Sequence, residues 1–377
     1  TLRKLVNATR TATIEIQKVK LPNFPDGLTP EFLTLLLVES LLADGGRVTE
    51  VVSSPMAEGA GMMAEIAKLM VTYENAPANL PTSIVAKFAS SNPTNREIAL
   101  SYNVYEREAR YYSELDPRTE AVGPQIYFSQ IDGENLLILM EDLSDYEVGS
   151  QIAGATLEQT ELAIDELAKL HGAFWGRVET LDWVPGIADS YHADTMLALA
   201  LAGWDKMVDT YGNLISEYTR GQKDAFLSAI PALQQDRNTQ PRTLCHGDFR
   251  MENLLYGTRP GQHPVVVIDW QGPLRCHGMF DVALFLGQST KTMVRREHEL
   301  ALLQRYTEGL ERAGVDTLDA SGVWEDYRRT MLYDWVYTAV VTGSLDVTNE
   351  TTSAWMAKMV ARQSAASEDL NVFELLP

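Results

Sequence analysis

Cysteine is nearly absent: the 377 residues contain two, Cys245 and Cys276. Two thiols cannot build a disulfide framework, and their spacing fits no metal-ligand pattern, so the composition points to a reducing compartment and a cytoplasmic location is expected. Long apolar runs are missing as well. The longest, near Phe32 to Leu37, is followed closely by Glu39 and falls far short of the roughly 20 residues a membrane-spanning helix needs. No secretory leader is visible, although the chain starts at Thr1 rather than Met, which leaves a targeting segment open. Positive charge is scarce: 31 Lys and Arg stand against 52 Asp and Glu, for a formal net charge of −21. With no basic run to offset that balance, a protein that tracks a nucleic-acid backbone is excluded. The acidity reads first as a solvated surface, and second as a setting for a cationic ligand. Internal repeats and low-complexity tracts are also lacking. What remains is a globular chain of ordinary apolar content, long enough for two domains.

The chemistry concentrates in Leu244-Cys245-His246-Gly247-Asp248-Phe249-Arg250-Met251-Glu252-Asn253 and the run Val265-Val266-Val267-Ile268-Asp269-Trp270-Gln271. A loop opened by His-Gly sets Asp248 and Asn253 close together, and a β-branched run reads as a buried strand that delivers Asp269 at its end. Such a set suits a Mg-nucleotide. Asn253 offers a neutral oxygen and Asp269 a charged one, the hard ligands that Mg2+ takes beside phosphate oxygens and water, and Asp248 is left to hold an acceptor hydroxyl.

In order and spacing, His246-Gly247-Asp248 with Asn253, followed by Ile268-Asp269-Trp270-Gln271, resembles the paired signature of the aminoglycoside phosphotransferase and choline kinase superfamily, nearest to its ecdysteroid-kinase-like branch. Protein kinases place the same roles on H-R-D-x-x-x-x-N and D-F-G. The resemblance, over about residues 48 to 345, implies an α+β, bilobal protein-kinase-like fold, with a small antiparallel-sheet N-lobe and a larger, mainly helical C-lobe. It also implies ATP and Mg2+ as cofactors and a small-molecule hydroxyl acceptor as partner. On that pattern Lys87, in Val85-Ala86-Lys87-Phe88, is the strand lysine of the α- and β-phosphates. Glu108 is its counter-ion, with Glu106 the second choice, and Glu141-Asp142-Leu143 is the hinge whose backbone at Glu141 and Leu143 meets the adenine. His246 and Asp281 support the catalytic loop.

Around these residues the chain reads as a leader and helix over 1–47, an N-lobe over 48–142 and a C-lobe over 143–377. Strands are expected at Val48 to Met56, Ala64 to Tyr73, Ser83 to Phe88, Gln125 to Phe128 and Leu136 to Met140. A first helix opens at Thr29-Pro30-Glu31 and is expected to stop near Gly45-Gly46; another should run unbroken from Arg96 to Leu115. Gly59, Ala60, Gly61 and Met62 lie between two strands, which favours a phosphate-covering hairpin over a dinucleotide-binding turn, because the latter would open a helix. Helices follow over Thr156 to Val178, Thr195 to Tyr218, Lys223 to Leu233, Asp281 to Gln288, Lys291 to Ala313, Ser321 to Val341 and Thr351 to Ala365.

Several residues carry two readings. Asp281 caps its own helix or, by resemblance, braces the catalytic loop. Lys87 grips phosphate or guards a sheet edge. His171 reads as a satisfied core histidine, and Trp204, Trp270, Trp335 and Tyr337 as core before acceptor surface. The expected activity is transfer of the ATP γ-phosphoryl group to a small-molecule hydroxyl. A protein kinase and a non-catalytic nucleotide-binding scaffold are the alternatives; the short stretch from Asp269 to Asp281 speaks against the first, and retention of Lys87, Asp248, Asn253 and Asp269 against the second.

Overall fold

The computed structural model describes residues 20–42, 45–56, 63–345 and 348–377. The chain divides into two compact units, Thr1–Tyr105 with Ile126–Glu141, and Glu106–Gln125 with Asp142–Pro377.

The first unit is built on helix α1 (Pro30–Leu37) and five strands: β1 (Arg47–Pro55), β2 (Ala64–Glu74), β3 (Ser83–Ala89), β4 (Ile126–Asp132) and β5 (Asn135–Glu141). The strands form one antiparallel sheet in the order β1-β2-β3-β5-β4. Thr29 caps α1, its hydroxyl accepting the Phe32 N–H at 3.2 Å, and Pro30 takes the first turn, where no amide partner is needed. Leu33, Leu36 and Leu37 of α1 share one core with Leu69, Ile84, Phe88, Leu137 and Leu139 of the sheet. The expected extension of α1 to Gly45 does not occur: the Leu41 and Leu42 amides both close on Leu37 O at 2.9 Å, which ends the helix there. β3 is the central strand, buried at every position after Ser83, so its period-two alternation is lost.

The expected helix from Arg96 to Leu115 is broken. α2 (Pro93–Ser101) starts at the Asn92 cap, which accepts the amides of Thr94 and Asn95, and α3 (Val104–Arg110) follows after Asn103. Asn103 sits at φ 53°, a left-handed conformation that asparagine tolerates better than most residues and that no helix continues through. Beyond α3 the last turn widens into a π-helical segment, Tyr111–Leu115.

The second unit is mainly helical. Its longer members are α4 (Leu157–Phe174), α5 (Ser190–Tyr211), then, after the short α6 (Glu217–Gly221), α7 (Lys223–Arg237), and later α9 (Thr292–Arg312), α10 (Ala320–Ser344) and α11 (Glu350–Asp369), with the short α8 (Met279–Leu284) before them. α4 opens with a capping box between Thr156 and Gln159. Trp204 of α5 and Trp335 of α10 are buried at the packing of those helices and lie 5.9 Å apart, which makes them core. No described helix is long and apolar enough to cross a membrane. Short strands provide the only extended structure among the described residues of this unit: β6 (Glu147–Val148), β8 (Leu254–Tyr256) and β9 (Val265–Val267) form one ladder, and β7 (Thr243–Cys245) pairs with β10 (Leu274–Cys276).

Candidate active site

The two ladders carry the site. β7 hands the chain to His246 and Gly247, while β8 and β9 set Asn253 opposite Ile268, whose amide donates to Asn253 O at 3.0 Å. Asn253 and Asp269 are therefore brought together by main-chain pairing, one residue out of register.

Three features hold the loop that carries Asp248. Asp281, fully buried, accepts the His246 N–H at 2.6 Å and the Gly247 N–H at 3.0 Å. The capping assignment for Asp281 is corrected by its position: the cap of α8 is Gly278, and Asp281 is the third residue of the first turn, its carboxylate taken by the His246 and Gly247 amides instead of by its own helix start. Gly247 adopts φ +84°, and a Cβ there would lie 1.9 Å from Gly272 O, so both the conformation and the close approach require glycine. His246 links the two halves of the motif. Its Nε2 lies 3.0 Å from Ile268 O and must donate, so Nδ1 accepts the Asp248 N–H at 3.3 Å. The His246 ring also packs on Trp270, which is itself stacked on Tyr111 at 3.6 Å. Tyr111 belongs to the π-helical segment, a distortion common near functional sites.

The Asp248 carboxyl is 49 % exposed, against 0 % for Asp281, which separates a group able to meet a ligand from one that braces. Asn253 is turned by two bonds from its Nδ2, to Asp248 O at 2.8 Å and to Asp248 Oδ2 at 3.1 Å. Its Oδ1 therefore faces away from Asp248 and has no hydrogen-bond partner among the described residues. Asp269 is half-buried and sits at φ 66°, a sparsely populated conformation for a non-glycine residue that clusters at functional sites.

Two participants escaped the sequence reading. Arg250 Nε donates to Asp248 Oδ2 at 3.2 Å, its Nη1 lies 3.5 Å from Glu252, and its guanidinium covers the Trp355 ring of α11 at 5.0 Å. Asp248 foremost, then Glu252 and Asp269 against the opposing effect of burial, raise its pKa further; Arg250 is thus the local balance for three carboxylates. Its signal was available, as the one cation within the catalytic stretch. Gln151 had no such signal. Its amide N–H donates to Glu252 at 2.9 Å, and its Oε1 accepts from Met251 N at 3.4 Å and Ser289 Oγ at 2.9 Å.

The remaining expected residues distribute as follows. Lys87 is buried mid-strand in β3, in register with Ile66 and Ile138. Next to it in the first unit, Tyr105 Oη donates to Met63 O at 2.7 Å and accepts from Ser90 N at 2.9 Å, tying the ends of the β2–β3 pair. Glu108 is buried on α3, in the second unit. Glu141 ends β5 of the first unit, and Leu143 packs with Leu255 and Val266 in the second. Gly59, Ala60, Gly61 and Met62 lie outside the described residues. His171 is a satisfied core histidine, its Nδ1 2.8 Å from Tyr306 Oη and its Nε2 3.1 Å from Asp281 Oδ2. Trp270 is buried core, whereas Tyr337 is half-buried.

A profile of the ecdysteroid kinase-like family matches residues 58–318 of this sequence. Among solved structures, the chain is similar to the GDP complex of a mutant aminoglycoside 2'-phosphotransferase-IIIa, with 14 % identity and a TM-score of 0.52 over 85 % of this chain and 93 % of that one. It is similar also to APH(2")-IIia in complex with GDP and kanamycin, with 12 % identity and a TM-score of 0.50 over 85 % and 95 %. A Plasmodium vivax ethanolamine kinase aligns with 14 % identity and a TM-score of 0.46 over 83 % and 82 %. No curated protein sequence matches the chain. At these identities the structural likeness is one of fold: the protein-kinase-like architecture, an antiparallel sheet followed by a mainly helical remainder.

Proposed function

The chain belongs to the ecdysteroid kinase-like family, and from that premise we propose that it transfers the γ-phosphoryl group of ATP to a hydroxyl of a small molecule. The observation that carries the reading is the local geometry at Asp248: an accessible carboxylate, fixed from behind by Asn253 Nδ2 and flanked by Arg250 Nε. Phosphoryl transfer passes through a loose transition state, so the protein's work is positioning and charge balance. Asp248 orients the acceptor hydroxyl and takes its proton late, as the bond to phosphorus forms. Arg250 keeps Asp248 in place and offsets the negative charge gathered there. Lys87 is assigned to the α- and β-phosphates, and the backbone at Glu141 and Leu143 to the adenine edge.

The donor set fits Mg2+. Asn253 Oδ1 is unengaged and turned from Asp248 by the amide's own bonds, and Asp269 adds a half-buried carboxylate, both hard oxygen ligands. When bound, the metal supplies neutralisation of phosphate charge; Asn253 and Asp269 would hold it.

A small acceptor is favoured over a protein by the short connection from Asp269 to α8 at Met279, which contains β10 and leaves no space for a long activation segment. The decisive experiment incubates the protein with Mg-ATP and a pooled library of small alcohols and reads new phosphate esters by mass. Asp248→Asn should lose ester formation while retaining nucleotide affinity by calorimetry. Unchanged turnover in that variant removes Asp248 from the mechanism; nucleotide binding with no ester from any acceptor favours the scaffold reading.

A further inference from the structure

Arg107, on α3, has no counter-ion among the described residues. Its guanidinium is half-buried, its Nε is shielded from solvent without a hydrogen-bond partner, and no carboxylate pairs with it. Arg110, three positions along the same helix, is treated quite differently: it holds Glu114 at 2.7 Å and Glu106 at 3.3 Å and covers the Trp183 ring at 4.5 Å. In a chain with 52 acidic residues to 31 basic ones, a guanidinium does not go unpaired for want of carboxylates.

The surroundings of Arg107 are polar but not anionic. Burial lowers its pKa, and the groups acting against that are the hydroxyls of Tyr337 on α10 and Tyr191 on α5, followed by Glu106, whose carboxylate Arg110 already engages. His192, beside Tyr191, has a buried Nε2 with no partner, and burial together with Arg107 pushes it down to about 4. At neutral pH the imidazole therefore brings no second charge. Tyr337 packs its ring on Phe280 at 5.1 Å, and Phe280 precedes Asp281, which holds the His246 and Gly247 amides of the Asp248 loop; Arg107 itself lies one helical turn before Tyr111, whose ring stacks at 3.6 Å on Trp270, the residue after Asp269. Tyr191 is 60 % exposed, which opens this neighbourhood to solvent.

We infer that Arg107 receives an anionic group (a carboxylate, sulfate or phosphate) on the acceptor whose hydroxyl Asp248 engages. This rests on the phosphotransferase reading and adds to it the chemical class of acceptor: a hydroxylated organic anion. A half-buried guanidinium whose Nε is shielded and unpartnered is unfavourable, and an incoming anion turns that cost into a charge-assisted, bidentate contact. The same anion chemistry could come from the nucleotide's own phosphates, so the experiment separates the two sources.

The full-length protein, Arg107→Met, Arg107→Lys and Asp248→Asn are given Mg-ATP with matched pairs of hydroxycarboxylic acids and their methyl esters. Binding of the non-hydrolysable analogue Mg-AMPPNP is measured alongside by calorimetry. The expected result is a preference for the acid in kcat/KM of about 10- to 100-fold in the native protein, as for a hydrogen bond to a charged group. The preference should be lost in Arg107→Met and partly restored in Arg107→Lys, with AMPPNP affinity unchanged. Equal use of acid and ester by the native protein overturns the inference, as does an equal slowing of both by Arg107→Met. Loss of AMPPNP affinity in that variant overturns it too, by assigning Arg107 to the nucleotide. If no pair yields a phosphate ester and Asp248→Asn releases ADP at the native rate, it is the phosphotransferase reading that fails. Anion capture at Arg107 is then decided by sulfate alone: a sulfate-dependent rise in Tm larger in the native protein than in Arg107→Met supports it, and equal rises refute it.

Discussion

Replacing Gly247 by alanine should damage both catalysis and stability, and the size of each effect follows from the geometry. Two penalties meet at this position. The first is conformational: φ +84° costs an alanine about 1–2 kcal/mol. The second is steric. The new Cβ would lie 1.9 Å from Gly272 O, and that atom is main chain, so no rotamer change relieves it; the two segments must part by about 1 Å to reach a tolerable contact. Parting them stretches the bond from His246 Nε2 to Ile268 O, now 3.0 Å, and pulls on the Gly247 N–H bond to Asp281. Strain of both kinds should lower unfolding stability by about 2–4 kcal/mol. Displacing the loop by that distance moves Asp248 off its alignment, and misplacement on the 1 Å scale costs on the order of 100-fold in rate. Gly314→Ala is the control: φ there is +90° but nothing lies within 4 Å of its Cβ, so only the conformational penalty applies and turnover should survive. Steady-state transfer and chemical denaturation of both variants give the comparison. Should Gly247→Ala turn over like Gly314→Ala, the contact with Gly272 does not set the position of Asp248, and the reasoning is wrong.

Other outcomes follow from the same site. His171 is fully buried; burial alone would lower its pKa, but the bond to Asp281 and the contact with Cys245 outweigh it and raise it from 6.5 to about 9. A raised histidine pKa means that its contribution to stability is whole below about pH 6.5 and disappears as pH climbs through about 9. Denaturation of the native protein should lose up to about 3 kcal/mol across that window, at 1.36 kcal/mol per unit, and His171→Gln should lack that slope; parallel pH profiles for the two would refute the pairing with Asp281. Arg250→Met removes the cation between Asp248, Glu252 and Trp355 and should lower kcat by about 100- to 1000-fold, the range seen for lost charge-stabilising groups. Its nucleotide affinity should change far less, and an unaltered kcat would leave Arg250 a packing residue.

How much of this was readable in the sequence depends on how local the physics is. The pairing of Asp248 with Asn253, and the delivery of Asp269 by a β-branched run, were legible because four intervening residues and one strand fix them. The strand around Lys87 was legible for a similar reason: an apolar run seldom hosts a lysine unless a partner meets its charge. Asp281 shows where locality fails. Its side chain looks like a cap for the helix it sits in, yet the amides it serves belong to His246 and Gly247, 35 and 34 residues upstream, and only the return of β10 beside β7 makes them neighbours. The break at Asn103 was hidden because apolar periodicity resumes on both sides of it, and a single left-handed residue leaves no trace in that pattern. Gln151 was invisible altogether, since a glutamine that bonds Met251, Glu252 and Ser289 reads like any surface glutamine until the chain has folded. These three cases share a consequence for function. The groups that do the proposed chemistry announce themselves by type and spacing, whereas the groups that hold them still are recruited from distant segments by topology. Substitutions at Asp281 or Gln151 should therefore be felt at Asp248 although neither is placed to touch a substrate.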